Sequence, residues 1–583
     1  MIAASRQALY IPMRDGVRIA IDVFLPERDD EAKIPTSLSM TRYQRSTVWQ
    51  RTRPDQDDSL AKAVLWTANG YALVVVDARG SGASFGSRGG ELSQTELDDY
   101  FEVMTWIAAQ PWSNTRIGAQ GVSYGGDTAE LVASLGHPAL RATAPLFTDF
   151  DSYEDTVFPG GVYNSTFGLQ WFMINNVLDG IAGAEQTLKD MAGLSDEEFL
   201  EQFPGANPID GPDGQALLEL AIRDHQANAN GTEYLSRIEC KDDGQGDARF
   251  DAMPYARRAA IEAANVPYVV LAGWQDAGTS SGTLSRLAAF NNHQEVHIGA
   301  WSHGGGFNTD PFAPSIEAPD FSREKQFELL IAFFDRFVKG DEKAVPGLKQ
   351  LSYYTMSEAI WHRSEGIPKT TAQRLYFSAN HSLEHNAPTD SSGSDRYNVN
   401  FDLGTGETAR WRTQLGGSVV AYPNQREQDQ HRWVYTSAPL EQDLRVTGFP
   451  RLSLELRSST PDGTVIAYLE DVAPNGEVQM ISEGLLRLAH RKVAGVNPDG
   501  RALRTPRTYA RADMQAMPIG EVQNLTFDFV PVSMLFQKGH CIRVAIVGHD
   551  KDQFQPYAKV GQIYALERNS SHASFLELPV EIR

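Results

Sequence analysis

Three residues of this 583-residue chain combine side-chain type and surroundings in a way that could carry nucleophilic chemistry: Ser123, Asp276 and His303. Ser123 is the centre of Gly121-Val122-Ser123-Tyr124-Gly125, a Gly-x-Ser-x-Gly pattern. Five residues recur by chance, so the flanks must carry the weight. Arg116–Gln120 reads as a buried strand and Thr128–Leu135 as the helix that follows, which puts Ser123 at a sharp strand-to-helix turn, a nucleophile elbow. Gly121 and Gly125 suit such a turn, because it leaves no room for a Cβ at either position. A Gly-rich loop with an idle serine would explain neither flank.

A serine hydroxyl is a weak nucleophile. It needs a base within hydrogen-bond reach, and the base needs an orienting carboxylate. Two later strands end at residues able to fill these roles: Val266–Leu271 runs on to Gly273-Trp274-Gln275-Asp276, and Glu295–Ile298 runs on to Trp301-Ser302-His303. Small residues follow each, Ala277-Gly278 and Gly304-Gly305-Gly306, leaving space for a substrate. Thirteen histidines compete for the role of base. His297 lies inside the strand and His293 in the polar loop before it, so position favours His303.

The elements that must hold these residues follow a consistent pattern. Alternating segments on either side of Asp15-Gly16 predict a hairpin. Thr36–Tyr43 and the continuous apolar run Tyr71–Asp77 predict strands, the second covered on both faces. Ala78–Ser84 is a small-residue loop that lacks the Walker lysine and the Rossmann spacing, so it reads as a tight turn near the site rather than a phosphate cradle. A helix is expected over Leu97–Ala108 and a last one over Phe327–Phe337. Strands alternating with helices predict an α/β fold with a largely parallel sheet, and the order Ser, Asp, His is that of an α/β-hydrolase domain. This domain is expected to occupy 1–146 and 248–350. Residues 147–247 show helical segments without a convincing strand, including the apolar Phe167–Ile174 and a capping box at Ser195–Glu198, and predict a helical cap. From 351 to 583 short alternating strands predict a jelly-roll β-sandwich, with Asn380–Asp395 as a polar surface loop.

Composition narrows the partners. The hydrophobic fraction of 41% and charged fraction of 22% are those of a globular protein. A net charge of −23 argues against a nucleic acid or an anionic membrane, which are bound through concentrated Lys and Arg. Two cysteines, Cys240 and Cys541, make neither a disulfide framework nor a multi-cysteine metal site. The first residues lack a basic segment followed by an apolar run, and a cytoplasmic location is expected. A homo-oligomer is compatible with the sequence.

The elbow, the two strand ends, Met13-Arg14-Asp15-Gly16 and Asp77-Ala78-Arg79-Gly80-Ser81-Gly82 together resemble the CocE/NonD hydrolases, as do Ala467–Gly476 and Phe536–Arg543 near the C-terminus. That group includes bacterial cocaine esterases, X-Pro dipeptidyl-peptidases and α-amino-acid ester hydrolases, and the resemblance covers nearly the whole chain. It implies an oxyanion hole made from the hydroxyl of Tyr43 and the backbone N–H of Tyr124. Arg42 stands where family members often have proline. It also implies a small-molecule ester as substrate, cleaved through an acyl-enzyme with no metal or organic cofactor. Amino-acid ester hydrolases place two acids just after the triad aspartate, whereas this chain has Ala277-Gly278-Thr279-Ser280. Asp149, Asp151, Glu154 and Asp155 could bind an amine instead, but a solvated acidic loop is the expectation. The alternatives are an X-Pro dipeptidyl-peptidase, an α-amino-acid ester hydrolase or acylase and, from another class, a non-catalytic binding protein on the same scaffold. Proteins of that last kind usually lose a triad member, and this chain keeps all three.

Overall fold

A computed structural model of the chain describes residues 4–27, 32–53, 58–244, 250–313, 322–495 and 503–582. Two β-systems organise it. The first is a ten-stranded sheet with the order β1-β2-β4-β3-β5-β6-β7-β8-β9-β10, built from Ala4–Pro12, Arg18–Pro26, Ile34–Thr41, Ala72–Asp77, Ser113–Val122, Leu140–Leu146, Tyr268–Gly273, Gln294–Gly299, Lys349–Thr355 and Ile360–Glu365 in chain order. The hairpin β1–β2 turns at Gly16, whose φ of +83° suits its lack of a Cβ. From β4 to β9 all neighbours are parallel. β4 and β7 are buried along their whole length, which explains why they read as unbroken apolar runs.

The sheet continues past the boundary placed at 350. Residues 349–355 pair parallel with β8 and 360–365 close the edge antiparallel, so the ten-stranded sheet reaches Glu365. The helix Arg323–Phe334 packs Phe333 and Phe334 under the sheet before these two strands. Their short alternating pattern is that of the sandwich strands beyond, so sequence periodicity alone does not separate the two sheets.

Between β6 and β7 the described residues form helices and no strand, among them Ser165–Leu178, Ala184–Ala192, Asp196–Gln202 and Gly214–His225. The helix at Asp196 opens with the expected capping box, in which Ser195 and Glu198 exchange side-chain and backbone bonds. The expected end of the cap at 247 lies outside the described residues. After β10 the chain builds the second system, an almost wholly antiparallel β-sandwich running from Thr370–Ser378 to Phe575–Glu581. Among the described residues, no helix is long and apolar enough to cross a membrane.

The turn after β5 decides where the chemistry can sit. Ser123 has φ 60° and ψ −129° and is followed at once by the helix Tyr124–Leu131. A Cβ on Gly121 would lie 2.4 Å from the Gly125 carbonyl carbon, and one on Gly126 would lie 2.9 Å from the Leu146 oxygen. Gly125 is different: a Cβ there would meet only the Met40 oxygen, at 3.4 Å. The crowding that the sequence pattern assigns to Gly121 and Gly125 therefore falls on Gly121 and Gly126. Gly121→Ala should cost about 2–3 kcal/mol of unfolding free energy by overpacking backbone against backbone. Gly125→Ala should cost less than about 1 kcal/mol. Denaturant melts of the two variants check the contrast, and equal losses would contradict it.

Candidate active site

β5, β7 and β8 deliver the three candidate residues to one end of the parallel sheet. The N–H of Ser123 donates to the Leu146 carbonyl at 2.9 Å, while its own carbonyl accepts from Gly126 and Asp127 at 2.7 and 2.9 Å. These bonds hold a non-glycine residue at positive φ, a conformation that persists only where the surroundings fix it. Asp276 is buried, and both its carboxylate oxygens lie 2.9 Å from Nδ1 of His303. Thr279 donates its hydroxyl to the same carboxylate at 3.0 Å. Burial alone would depress the basicity of His303, but the Asp276 charge and hydrogen bond outweigh it and raise the imidazole above 6.5.

Tyr43 follows β3, the neighbour of β5, and lines the same cavity as Ser123. Burial pushes this phenol up to about 12, against the lowering effect of the bond from Trp171, so it is a proton-bearing donor at neutral pH. Its loop is held from two directions. Arg45, fully buried, bonds Asp22 at 2.9 Å and Asp77 at 2.8 Å. Arg42 pairs with Asp179 of the cap and with Glu91, each at 2.8 Å. The residue just before the tyrosine is thus held by a buried ion pair. Tyr124 packs its ring edge-on against Tyr43 and donates its hydroxyl to Glu96, so only its backbone N–H, at the start of the helix, is placed to act on a substrate.

A cavity of about 680 Å³ opens onto Ser123 and Tyr43. Phe147, Val157, Phe167, Trp171, Phe172 and Phe250 supply much of its apolar wall. Of the four acids expected in a solvated loop, three are buried and paired: Asp151 with Lys241 at 2.6 Å, and Glu154 and Asp155 with Arg504 at 3.0 and 2.8 Å. That expectation is therefore corrected, because cations from the cap and the sandwich neutralise these acids in the interior. The fourth, Asp149, lines the cavity beside Asp127. Burial, the Asp155 charge and nearby Asp276 raise Asp149 to about 7, against the opposing effects of a Thr156 bond and His303.

The sandwich also reaches the site. Arg410, wholly buried, donates to the Trp274 carbonyl at 3.0 Å, two residues before Asp276, and pairs with Glu483 at 3.0 Å. Ser302 bonds the Gly417 carbonyl at 3.3 Å, and a Cβ on Gly417 would stand 2.5 Å from the His303 carbonyl oxygen. Gln414 reaches Thr156 at 3.3 Å and lines the cavity. Neither Arg410 nor Gln414 carries a sequence signal, since contacts across hundreds of residues leave none in local periodicity. Trp171 lies inside the apolar run that marks the cap.

Comparison with known proteins gives the family of the chain. The model of the X-Pro dipeptidyl-peptidase (S15 family) matches residues 15–305, and that of the X-Pro dipeptidyl-peptidase C-terminal non-catalytic domain matches 343–576. A Mycobacterium bovis protein whose name proposes a serine esterase is 36% identical, over 98% of this chain and 94% of its own. The chain belongs to the CocE/NonD group of the S15 family. It is a serine hydrolase. Cocaine esterase from a Rhodococcus species is 22% identical over 98% of both chains. Among solved structures, a CocE/NonD family hydrolase from Staphylococcus aureus superposes with a TM-score of 0.70 at 19% identity, covering 99% of this chain and 94% of its own. An α-amino acid ester hydrolase gives 0.68 at 19%, with 99% and 97% covered, so the fold is shared with both.

With His303 in the role of base expected from the sequence, the imidazole would have to be neutral to accept a proton, so activity should rise with pH through an ionisation above 6.5. The Asp149 charge contributes to raising that ionisation. Asp149→Asn should therefore shift the acid limb of kcat/KM to lower pH. A pH-rate profile of the two proteins checks it, and an unmoved or upward-shifted midpoint would refute the coupling.

Proposed function

We propose that this serine hydrolase cleaves carboxylic esters with an uncharged, bulky acyl group through an acyl-enzyme intermediate. The observation that carries the reading is the apolar cavity opening on Ser123, whose wall is largely aromatic and aliphatic. Such a wall favours hydrocarbon by roughly 25 cal/mol for each Å² removed from water. The esterase name of the 36% identical relative and the cocaine esterase likeness point the same way.

The proposed chemistry assigns one role to each of these side chains. Ser123 Oγ attacks the ester carbonyl while His303 takes its proton. Asp276 occupies Nδ1, which leaves Nε2 for proton transfer and stabilises the imidazolium that forms. The negative oxygen of the tetrahedral intermediate is received by the Tyr43 hydroxyl and the Tyr124 N–H. Collapse breaks the bond to the alcohol, which leaves with the proton held on His303. Water, deprotonated by the same imidazole, then attacks the acyl-serine and releases the carboxylic acid.

A second reading is favoured by one observation. Asp149 and Asp127 share the cavity with Ser123, and an ionised carboxyl there would suit the amine of an aminoacyl or peptide substrate. A single panel separates the two: 4-nitrophenyl esters of graded acyl length, amino-acid esters and X-Pro anilides. The expected outcome is kcat/KM rising with apolar acyl size and little turnover of the charged substrates. Faster turnover of X-Pro anilides or amino-acid esters would overturn the reading. Ser123→Ala should abolish turnover across the panel; equal activity of this variant would favour the binding-protein alternative. Tyr43→Phe should lower kcat by about 10²–10³, the usual loss for one oxyanion donor.

A further inference from the structure

The oxygen of Tyr43 has a hydrogen-bond partner, and it comes from the cap. Nε1 of Trp171, on the helix Ser165–Leu178, lies 2.9 Å from that hydroxyl. An indole nitrogen only donates, so the phenol oxygen must accept. A phenol carries one proton. With the indole pointing into its lone pair, that proton is left to be donated into the cavity that Tyr43 shares with Ser123. Donation into the oxygen also polarises the O–H and strengthens the bond it gives.

Trp171 is itself fixed. Its ring lies parallel to Phe167, with centroids 6.4 Å apart, and meets Phe172 edge-on at 4.7 Å. The Arg42 guanidinium sits 5.1 Å from its ring, and the same Arg42 is locked to Asp179 just past the end of this helix. Gln44, on the far side of Tyr43, donates to the Leu178 carbonyl at 3.0 Å. One cap helix therefore holds the residues before and after Tyr43 and the hydroxyl between them.

Resting on the esterase reading, we propose that Trp171 is a positioning residue for the oxyanion hole: its N–H aims the Tyr43 proton at the reacting carbonyl oxygen. The cap then does more than enclose substrate. The hole is complete only while the helix Ser165–Leu178 is seated on the Arg42–Gln44 loop.

Because Trp171 also lines the cavity, the test must separate positioning from wall. The probe is 4-nitrophenyl acetate, whose small acyl group leaves the wall unfilled. Trp171→Phe is made in the native background and in Tyr43→Phe. A second variant carries benzothienylalanine at 171, which keeps the bicyclic ring and removes only the N–H. Either change should lower kcat roughly tenfold, the worth of one hydrogen bond, with KM within about twofold. Affinity for a small alkylboronic acid, which forms a tetrahedral adduct on serine, should fall by the same factor. In the Tyr43→Phe background, Trp171→Phe should add no further loss. Equal losses in both backgrounds, a rise in KM alone, or full activity with benzothienylalanine would each overturn the inference and leave the role of Tyr43 standing. If Tyr43→Phe itself leaves kcat unchanged, the oxyanion reading fails and the positioning role falls with it.

Discussion

The backbone at Ser123 is the constraint on which the rest of the molecule depends. A serine at φ 60° and ψ −129° costs on the order of 1–3 kcal/mol, and it exposes Oγ above the sheet only because its neighbours leave no alternative. Those neighbours are specified in turn. Gly121 and Gly126 have no side chain because the helix start crosses directly over the strand end. The carbonyl of Leu146 must be in place to accept the Ser123 N–H, which fixes β6 against β5. On the other flank β3 pairs with β5, and the residues that follow it, including Tyr43, are carried to the same end of the sheet. One strained residue thus dictates the strands on both sides.

Buried charge fixes the loops that the strands alone leave free. Arg45 between Asp22 and Asp77, Arg42 against Asp179, and Arg286 against Glu130 at 2.6 Å are all ion pairs with little or no solvent contact. The desolvation cost of such pairs offsets much of their attraction, so their value lies less in net stability than in geometry. Each guanidinium admits few arrangements of its carboxylates. The loop that carries Tyr43 contains two of these arginines, on either side of the tyrosine.

Residues that act through their own neighbours in sequence were legible; those that act across the fold were not. The elbow announces itself because strand, glycines, serine and helix are contiguous. Asp276 and His303 are readable because parallel strands end at a common edge, so position along the chain converts to position in space. Tyr43 needed a family resemblance, since nothing local distinguishes it from the other nineteen tyrosines. The acids at 151, 154 and 155 were misread as solvated because their partners, Lys241 and Arg504, lie 90 or more residues away. That β9 and β10 join the first sheet was not legible for a related reason: a strand at the edge of a parallel sheet and a strand of a sandwich have the same period of two.

The contribution of the sandwich to the site gives a physical reason for the two matched segments to occur in one chain. The Asp276 and His303 loops follow neighbouring parallel strands of the first sheet. Arg410 ties the backbone before Asp276 to Glu483 in the interior of the sandwich. Gly417 lies so close to the His303 carbonyl that a methyl group could not fit. Both contacts bear on the backbone rather than on the carboxylate and imidazole themselves. The segment that matches a non-catalytic domain therefore packs directly against the loops that carry Asp276 and His303, and two regions far apart in sequence meet at one end of the parallel sheet.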